Sequence, residues 1–298
     1  MSENGKPKIG FIGLGLMGSA MVERLQDCGY EVTVVANRNR APIEAAVKLG
    51  ATEAGNPGEL AAASDIVMLC VDTSDAVEAI MLGENGVIAH LKPGAVVIDF
   101  GTSIPTSTLK LAKQVEAQGA SMMDAPLGKT PAQAKLGLLN IMAAGSDEDF
   151  ARVESVLNDL AENLFHVGPL GTGHKLKLLN NFVAQTYIAA VAQAFALGDE
   201  IGVPRAVLND VVASGPVGSG LMNFVAAYAL EGDPSMLAFS VANARKDVGY
   251  FVRMAEDAGF DSAIGSATVA TLEQAVDAGF GDRNVPEVVD YFSSKLTG

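Results

Sequence analysis

Three local patterns in this sequence have the residue types and spacing to do chemistry. The first is Ile9-Gly10-Phe11-Ile12-Gly13-Leu14-Gly15-Leu16-Met17-Gly18, with glycines at G-x-G-x-x-G spacing. It follows a strand-like run, Lys8–Ile12, and opens a helical stretch, Met17–Cys28. In that context Gly13 permits a tight turn, Gly15 lets backbone approach a pyrophosphate, and Gly18 lets the helix pack close to the strand. The free N–H groups of the helix start complete an anion cradle. Gly13, Leu14, Gly15, Leu16, Met17 and Gly18 are therefore the expected cofactor contacts. The second pattern is Val35-Ala36-Asn37-Arg38-Asn39-Arg40, at the end of the next strand. An Asp or Glu there would hydrogen-bond the ribose 2′-hydroxyl of NAD. Asn37 is neutral, whereas Arg38 and Arg40 offer guanidinium groups to a 2′-phosphate. NADP is the expected cofactor, with NAD the second possibility. The third pattern is Lys177, Asn181 and Gln185, at i, i+4 and i+8 on one helix face. By spacing alone such a stripe is either a solvated face or one wall of a cleft.

The elements that must position these residues fall into two kinds. Up to about residue 168, β-branched runs alternate with helical stretches. Strands are expected at Lys8–Ile12, Glu31–Val35, Asp65–Cys70, Ala95–Phe100 and Ser121–Asp124, with later ones at Leu138–Ala143 and Asn163–Val167. Helices are expected at Met17–Cys28, Ala41–Leu49, Ser74–Leu82, Thr106–Gln118 and Glu148–Leu160. Runs such as Ile66-Val67-Met68-Leu69 suit a parallel sheet buried on both faces, so the expected fold is α/β, a doubly wound, mainly parallel Rossmann sheet. After Gly168-Pro169-Leu170-Gly171 the pattern becomes all-α. A long helix, Lys175–Glu200, is followed by Pro204–Ala213, Ser219–Leu230, Phe239–Ala258 and Ile264–Ala278. The expected domains are 1–168, dinucleotide-binding, and 169–298, helical, with a ligand cleft expected at their junction.

Composition narrows the classes of function. Twenty Lys and Arg against 35 Asp and Glu give a net charge of −15, which argues against a nucleic-acid partner. Two cysteines, Cys28 and Cys70, without a metal-binding or redox motif, suit reduced thiols in the cytoplasm. Three histidines make a histidine-rich zinc site improbable, and no metal is expected. The start lacks an apolar signal core, and the apolar stretch 181–198 contains Gln185, Thr186 and Gln193, so neither a secretory leader nor a membrane span is expected.

The sequence resembles the β-hydroxyacid dehydrogenase family over nearly its whole length, about residues 8–291. The resemblance rests on Gly13-Leu14-Gly15-Leu16-Met17-Gly18, on Asp99-Phe100-Gly101-Thr102-Ser103-Ile104-Pro105, and on Asp124-Ala125-Pro126-Leu127-Gly128-Lys129-Thr130. It rests further on Gly171-Thr172-Gly173-His174-Lys175-Leu176-Lys177-Leu178-Leu179-Asn180-Asn181, and on Phe239 followed by Lys246-Asp247. The resemblance implies a second domain like the all-α domain of 6-phosphogluconate dehydrogenase. It also implies Lys177 as catalytic acid/base, Asn181 as its catalytic companion, and Asn180 beside the substrate. Val71, Thr102 and Lys246 become cofactor contacts, Lys246 also approaching substrate, while Asp247 supports it and His174 takes no catalytic part.

The substrate loop departs from the usual Ser-Gly-Gly of the family. Gly128, Lys129 and Thr130 stand there, adding a cation and a hydroxyl for an anionic tail. The change is similar to the Gly-Arg-Thr loop of sulfolactaldehyde reductases, although lysine lacks the planar fork of arginine. The resemblance implies an enzyme interconverting a short anionic semialdehyde and its 3-hydroxy acid, working as a homodimer or homotetramer, and the Asn37-Arg38-Asn39-Arg40 turn makes NADP its expected cofactor. A sulfolactaldehyde reductase, an imine reductase and a dinucleotide-binding protein without turnover are the alternatives.

Overall fold

The computed structural model describes residues 5–37 and 39–296. Two compact units divide the chain, Met1–Lys177 and Leu178–Gly298.

The first unit runs β1 (Ile9–Ile12), α1 (Leu16–Asp27), β2 (Val32–Val35), α2 (Ala41–Lys48), β3 (Thr52–Ala54) and α3 (Pro57–Ala63). It continues through β4 (Ile66–Leu69), α4 (Ser74–Leu82), β5 (Val96–Asp99), α5 (Pro105–Glu116) and β6 (Ser121–Asp124). These six strands form one sheet in the order β3-β2-β1-β4-β5-β6, every neighbouring pair parallel. The four residues of β1, β4 and β5 are all buried, as a sheet covered on both faces requires. Alternation along β4 separates the two cores. Ile66 and Met68 pack with Met21 and Leu25 of α1 and Ile43 of α2. Val67 and Leu69 pack with Leu60 of α3, Val77 of α4 and Leu111 of α5. The sheet is doubly wound, and its chain order reverses at β1, between β2 and β4.

A smaller sheet hangs on the end of β6. It comprises β7 (Leu127–Gly128), then α6 (Pro131–Lys135), β8 (Leu139–Ala143), α7 (Asp147–Leu160) and β9 (Ala161–His166). β7 pairs antiparallel with β8, and β8 parallel with β9. An isolated bridge joins Asp124 to Ala144. Helix α8 (Thr172–Glu200) then begins.

Periodicity is silent at β3, α3, β7 and α6, where the elements are too short to repeat. α3 is signalled instead by its start: Asn56 Oδ1 accepts from the Glu59 N–H at 2.9 Å, with Pro57 as the first helical residue.

The second unit is helical. Beyond α8 it contains α9 (Arg205–Ala213), α10 (Gly220–Glu231), α11 (Val241–Asp257), α12 (Ala263–Ala275) and α13 (Val288–Leu296). Among its described residues there is no strand, only an isolated bridge between Ser240 and Asn284. Its core gathers Ile188, Phe195, Val225, Val248, Leu272 and Tyr291. α12 ends at Ala275 rather than Ala278, because the next turn is wide and carries Gly279 at φ +89°. α13, which periodicity does not announce, follows a capping turn in which the Asn284 N–H donates to Glu287 Oε2 at 2.7 Å. Among the described residues, no helix is long and apolar enough to cross a membrane.

Candidate active site

The glycine turn sits at the carboxyl end of β1, where the strand order reverses. Gly13 has φ +100°, and a Cβ there would lie 2.2 Å from the carbonyl oxygen of Cys70. A Cβ on Gly18 would lie 1.9 Å from the Gly13 carbonyl oxygen. These two glycines bring the start of α1 hard against the strand ends. Gly15 differs: its φ is −74°, and a Cβ would meet no described residue within 4 Å. The space in front of it is open, and Gly15 and Leu16 are exposed. The first turn of α1 has no acidic residue and no side-chain cap, so its N–H groups and the positive end of its dipole face that space. This is the cradle that a pyrophosphate needs, and Gly13 to Gly18 fit it.

Two further expected contacts lie at neighbouring strand ends. Val71 Cγ1 is 2.8 Å from where a Gly13 Cβ would stand, and Val71 O is 3.0 Å from the same position on Gly101. Thr102 is half-buried in a turn organised by the buried Asp99. Asp99 Oδ1 accepts from the Gly101 N–H at 2.8 Å, and Oδ2 accepts from the Ser103 hydroxyl at 2.7 Å. At the end of β2, Asn37 is exposed and Arg38 lies outside the described residues. Arg40 is already engaged, with its guanidinium 3.1 Å from Glu53 and 3.9 Å from Glu44.

The start of α8 is built on Asp124, the last residue of β6. Its buried carboxylate accepts from the Gly171 N–H at 2.6 Å and the His174 N–H at 2.7 Å. Burial pushes the Asp124 carboxyl up, opposed by the His174 imidazole and those two N–H donors. Gly173 makes the approach possible, since a Cβ there would sit 2.4 Å from Met142 O. His174 is fully buried, with Nδ1 2.9 Å from the Thr108 hydroxyl. Among the described residues its Nε2 has no hydrogen-bond partner, and it lies 3.6 Å from Asp99 Oδ2.

Lys177 follows one turn later, half-buried, and its Nζ donates to the Leu127 carbonyl at 2.7 Å. Leu127 belongs to β7, which continues into Gly128, Lys129 and Thr130. The structure thus brings Lys177 to the foot of the expected substrate loop. Within the loop, Lys129 has φ +80° and its ammonium pairs with Glu162 of β9. Thr130 caps α6, its N–H and O–H both donating to Gln133 Oε1 at 3.1 Å. Its hydroxyl hydrogen is therefore committed to the helix cap.

In the second unit, Asn181 is buried and its Nδ2 donates to Asp247 Oδ2 at 2.6 Å. Asn180 Nδ2 donates to Asn181 Oδ1 at 3.1 Å, and Lys246 Nζ lies 3.1 Å from Asp247 Oδ1. Asp247 is the acceptor that organises this group.

The sequence alone points to no role for Asp124 or Glu162, and to none in positioning for His174. Each acts through partners tens of residues away, and the only local signal was Asp124 in its Asp-Ala-Pro context. The cysteines are free thiols; burial pushes Cys70 up to about 12 and also raises Cys28. Among the described residues, no group of three or more His, Cys, Asp or Glu side chains is placed to hold a metal ion.

A doubly wound sheet with a glycine turn opening at its switch point defines a dinucleotide-binding protein. Residues 8–168 match the family model described as the NAD binding domain of 6-phosphogluconate dehydrogenase. Residues 171–292 match the one described as NAD-binding of NADP-dependent 3-hydroxyisobutyrate dehydrogenase. The chain is 33% identical over 285 residues to 3-sulfolactaldehyde reductase of Escherichia coli, covering 95% of this chain and 94% of that one. It is 31% identical over 215 residues to 3-hydroxyisobutyrate dehydrogenase of Pseudomonas aeruginosa, 72% of each chain. In fold it is similar to 3-hydroxyisobutyrate dehydrogenase of Mycobacterium tuberculosis, solved with L-serine, at TM-score 0.85 and 24% identity over 96% of this chain and 98% of that one. The chain belongs to the β-hydroxyacid dehydrogenase family and is an NAD(P)-dependent oxidoreductase.

Proposed function

We propose that this enzyme interconverts a short anionic semialdehyde and its 3-hydroxy acid, with NADP(H) preferred and Lys177 as general acid/base. The observation that carries the proposal is the Lys177 ammonium held 2.7 Å from Leu127 O, at the foot of the 128–130 loop. The dinucleotide, when bound, supplies or accepts the hydride. In the reducing direction the Lys177 ammonium stabilises charge developing on the carbonyl oxygen and donates a proton to it. In the reverse direction the neutral amine takes the hydroxyl proton. Asn181, one helical turn on, orients the reacting oxygen, while Asn180 and Lys246 contact the substrate, and Lys246 also the cofactor. Gly128 gives its backbone and Lys129 its charge to the anionic tail, and the Thr130 hydroxyl would have to turn from Gln133 to join them.

Gly13 to Gly18, Val71 and Thr102 hold the dinucleotide, and Asn37 with Arg38 reads its 2′ position. Arg40 contributes less, because Glu53 and Glu44 hold it. The dinucleotide domain is proposed to span 1–168 and the helical domain 169–298. A cytoplasmic homodimer or homotetramer is the proposed assembly, supported by exposed apolar residues such as Val183, Val211 and Ile264 in the helical unit.

Lys177→Ala is expected to lose at least about a hundredfold in kcat while still binding dinucleotide; near-normal turnover would refute the assignment. NADPH and NADH affinities, compared in Arg38→Ala, test the preference. A second reading, a sulfonate tail, is favoured by the 33% identity to the Escherichia coli sulfolactaldehyde reductase together with the Gly128-Lys129-Thr130 loop. A panel of sulfolactaldehyde, tartronate, succinic and methylmalonate semialdehydes, glyoxylate and a cyclic imine separates these readings from an imine reductase and from a protein without turnover.

A further inference from the structure

Lys129 is the only non-glycine residue with positive φ among the described residues, at +80°. A lysine in that region is strained by its Cβ, and such strain persists where surrounding structure holds it. Two strands away a second irregularity faces it. In the register of β8 and β9, Leu139 pairs with Ala161 and Asn140 with Asn163, so Glu162 is the extra residue of a β-bulge. Gly128 pairs with the same Asn140 from the other side. Lys129 and Glu162 therefore leave the sheet at the same end, each turned out of the regular ladder, and their side chains form an ion pair. Bulges re-aim single side chains and recur beside active sites. The Lys129 side chain is only 21% exposed and Glu162 52%, so the carboxylate covers the cation from the solvent side. Two residues before Lys129, the same strand anchors the Lys177 ammonium.

We propose that Glu162 is a specificity-determining residue: it is a built-in counter-anion that an incoming carboxylate or sulfonate must displace from Lys129. This rests on the reading of the 128–130 loop as the substrate loop. The pair makes the site close to neutral where the substrate tail arrives. A monoanion then gains only the difference between its own contact with Lys129 and that of Glu162. An aldehyde without a charged tail leaves the pair intact.

The test compares wild type, Glu162→Gln, Lys129→Gly and the double variant, using succinic semialdehyde and the neutral butyraldehyde. Glycine at 129 removes the ammonium and accepts the left-handed backbone. Glu162→Gln is expected to lower KM for succinic semialdehyde about two- to fivefold, the scale of a partly exposed ion pair, with kcat and the butyraldehyde KM unchanged. In the Lys129→Gly background the same change is expected to act less, because no cation is freed and only the repulsion by Glu162 is relieved. Binding of 3-hydroxyisobutyrate without turnover, followed by calorimetry, should tighten by a similar factor in Glu162→Gln. An unchanged or weaker affinity for both anions in folded Glu162→Gln overturns the inference. An equal effect with and without Lys129 also overturns it. Normal turnover by Lys177→Ala would instead overturn the catalytic assignment and leave the calorimetric result to decide this one.

Discussion

Replacing single glycines of the first turn by alanine separates what the turn does for folding from what it does for binding. In Gly18→Ala the new methyl would stand 1.9 Å from Gly13 O, a backbone atom that no rotamer change can move. Ordinary carbon–oxygen contact needs roughly 3.3 Å, so strand and helix must part by roughly 1.4 Å. The helix cannot move freely, because Ala20, Met21, Val22 and Leu25 behind it are at most 1% exposed. Overpacking of this kind costs about 1–3 kcal/mol, and rigid backbone on both sides puts this case near 3. At about 2–4 °C per kcal/mol, the melting temperature of the unliganded protein should fall about 6–12 °C. Gly15→Ala should do the opposite. Its φ of −74° suits alanine and its methyl meets no described residue within 4 Å. Loss of backbone freedom in the unfolded chain then stabilises by about 0.4–1 kcal/mol, raising the melting temperature by about 1–4 °C. The methyl fills the space in front of the helix start, so dinucleotide affinity should fall at least about tenfold, equivalent to about 1.4 kcal/mol. The assay is a thermal melt of both variants with and without NADPH, together with a fluorescence titration. Wild-type dinucleotide affinity in Gly15→Ala would refute the cradle. A wild-type melting temperature in Gly18→Ala would refute the close approach of α1 to β1.

Other perturbations follow from the same contacts. Asp124→Ala leaves the Gly171 and His174 N–H groups without their acceptor, at about 1–3 kcal/mol each, and a urea midpoint well below wild type is expected. Asn181→Ala removes the amide donor from buried Asp247 Oδ2 and leaves Lys246 at Oδ1, so stability should fall by about 1–3 kcal/mol in denaturant titrations. Cys70 is pushed up to about 12 by desolvation, so its reactive thiolate is scarce near neutrality. Because the shift is upward, native alkylation by iodoacetamide should be negligible near neutrality and should appear only on unfolding. Rapid labelling of Cys70 in the folded protein would contradict the upward shift.

The long elements of this protein were legible in its sequence because they repeat. The buried runs of β4 and β5 and the helices α1, α5, α7 and α8 carry enough turns or alternations for a period to emerge, and their bounds shift by only a few residues. The elements that escaped periodicity, β3, α3, α6 and α13, are short or begin at a cap. Asn56, Thr130 and Asn284 mark three of those starts by chemistry.

The candidate site divides in the same way. The glycine spacing, the polar stripe of Lys177, Asn181 and Gln185, and the basic turn after β2 were all local patterns, visible without a fold. What each side chain meets was not. The sequence cannot express that Arg40 is held by Glu53 or that Lys129 faces Glu162, because those partners lie on other segments. The same holds for Asp124, which sits 47 and 50 residues from the N–H groups it accepts and fixes the start of the helix bearing Lys177. Local spacing sets the inventory of reactive groups, because helix and strand periods depend only on neighbours along the chain. Tertiary packing decides which charges remain available, because ion pairing and burial depend on neighbours in space.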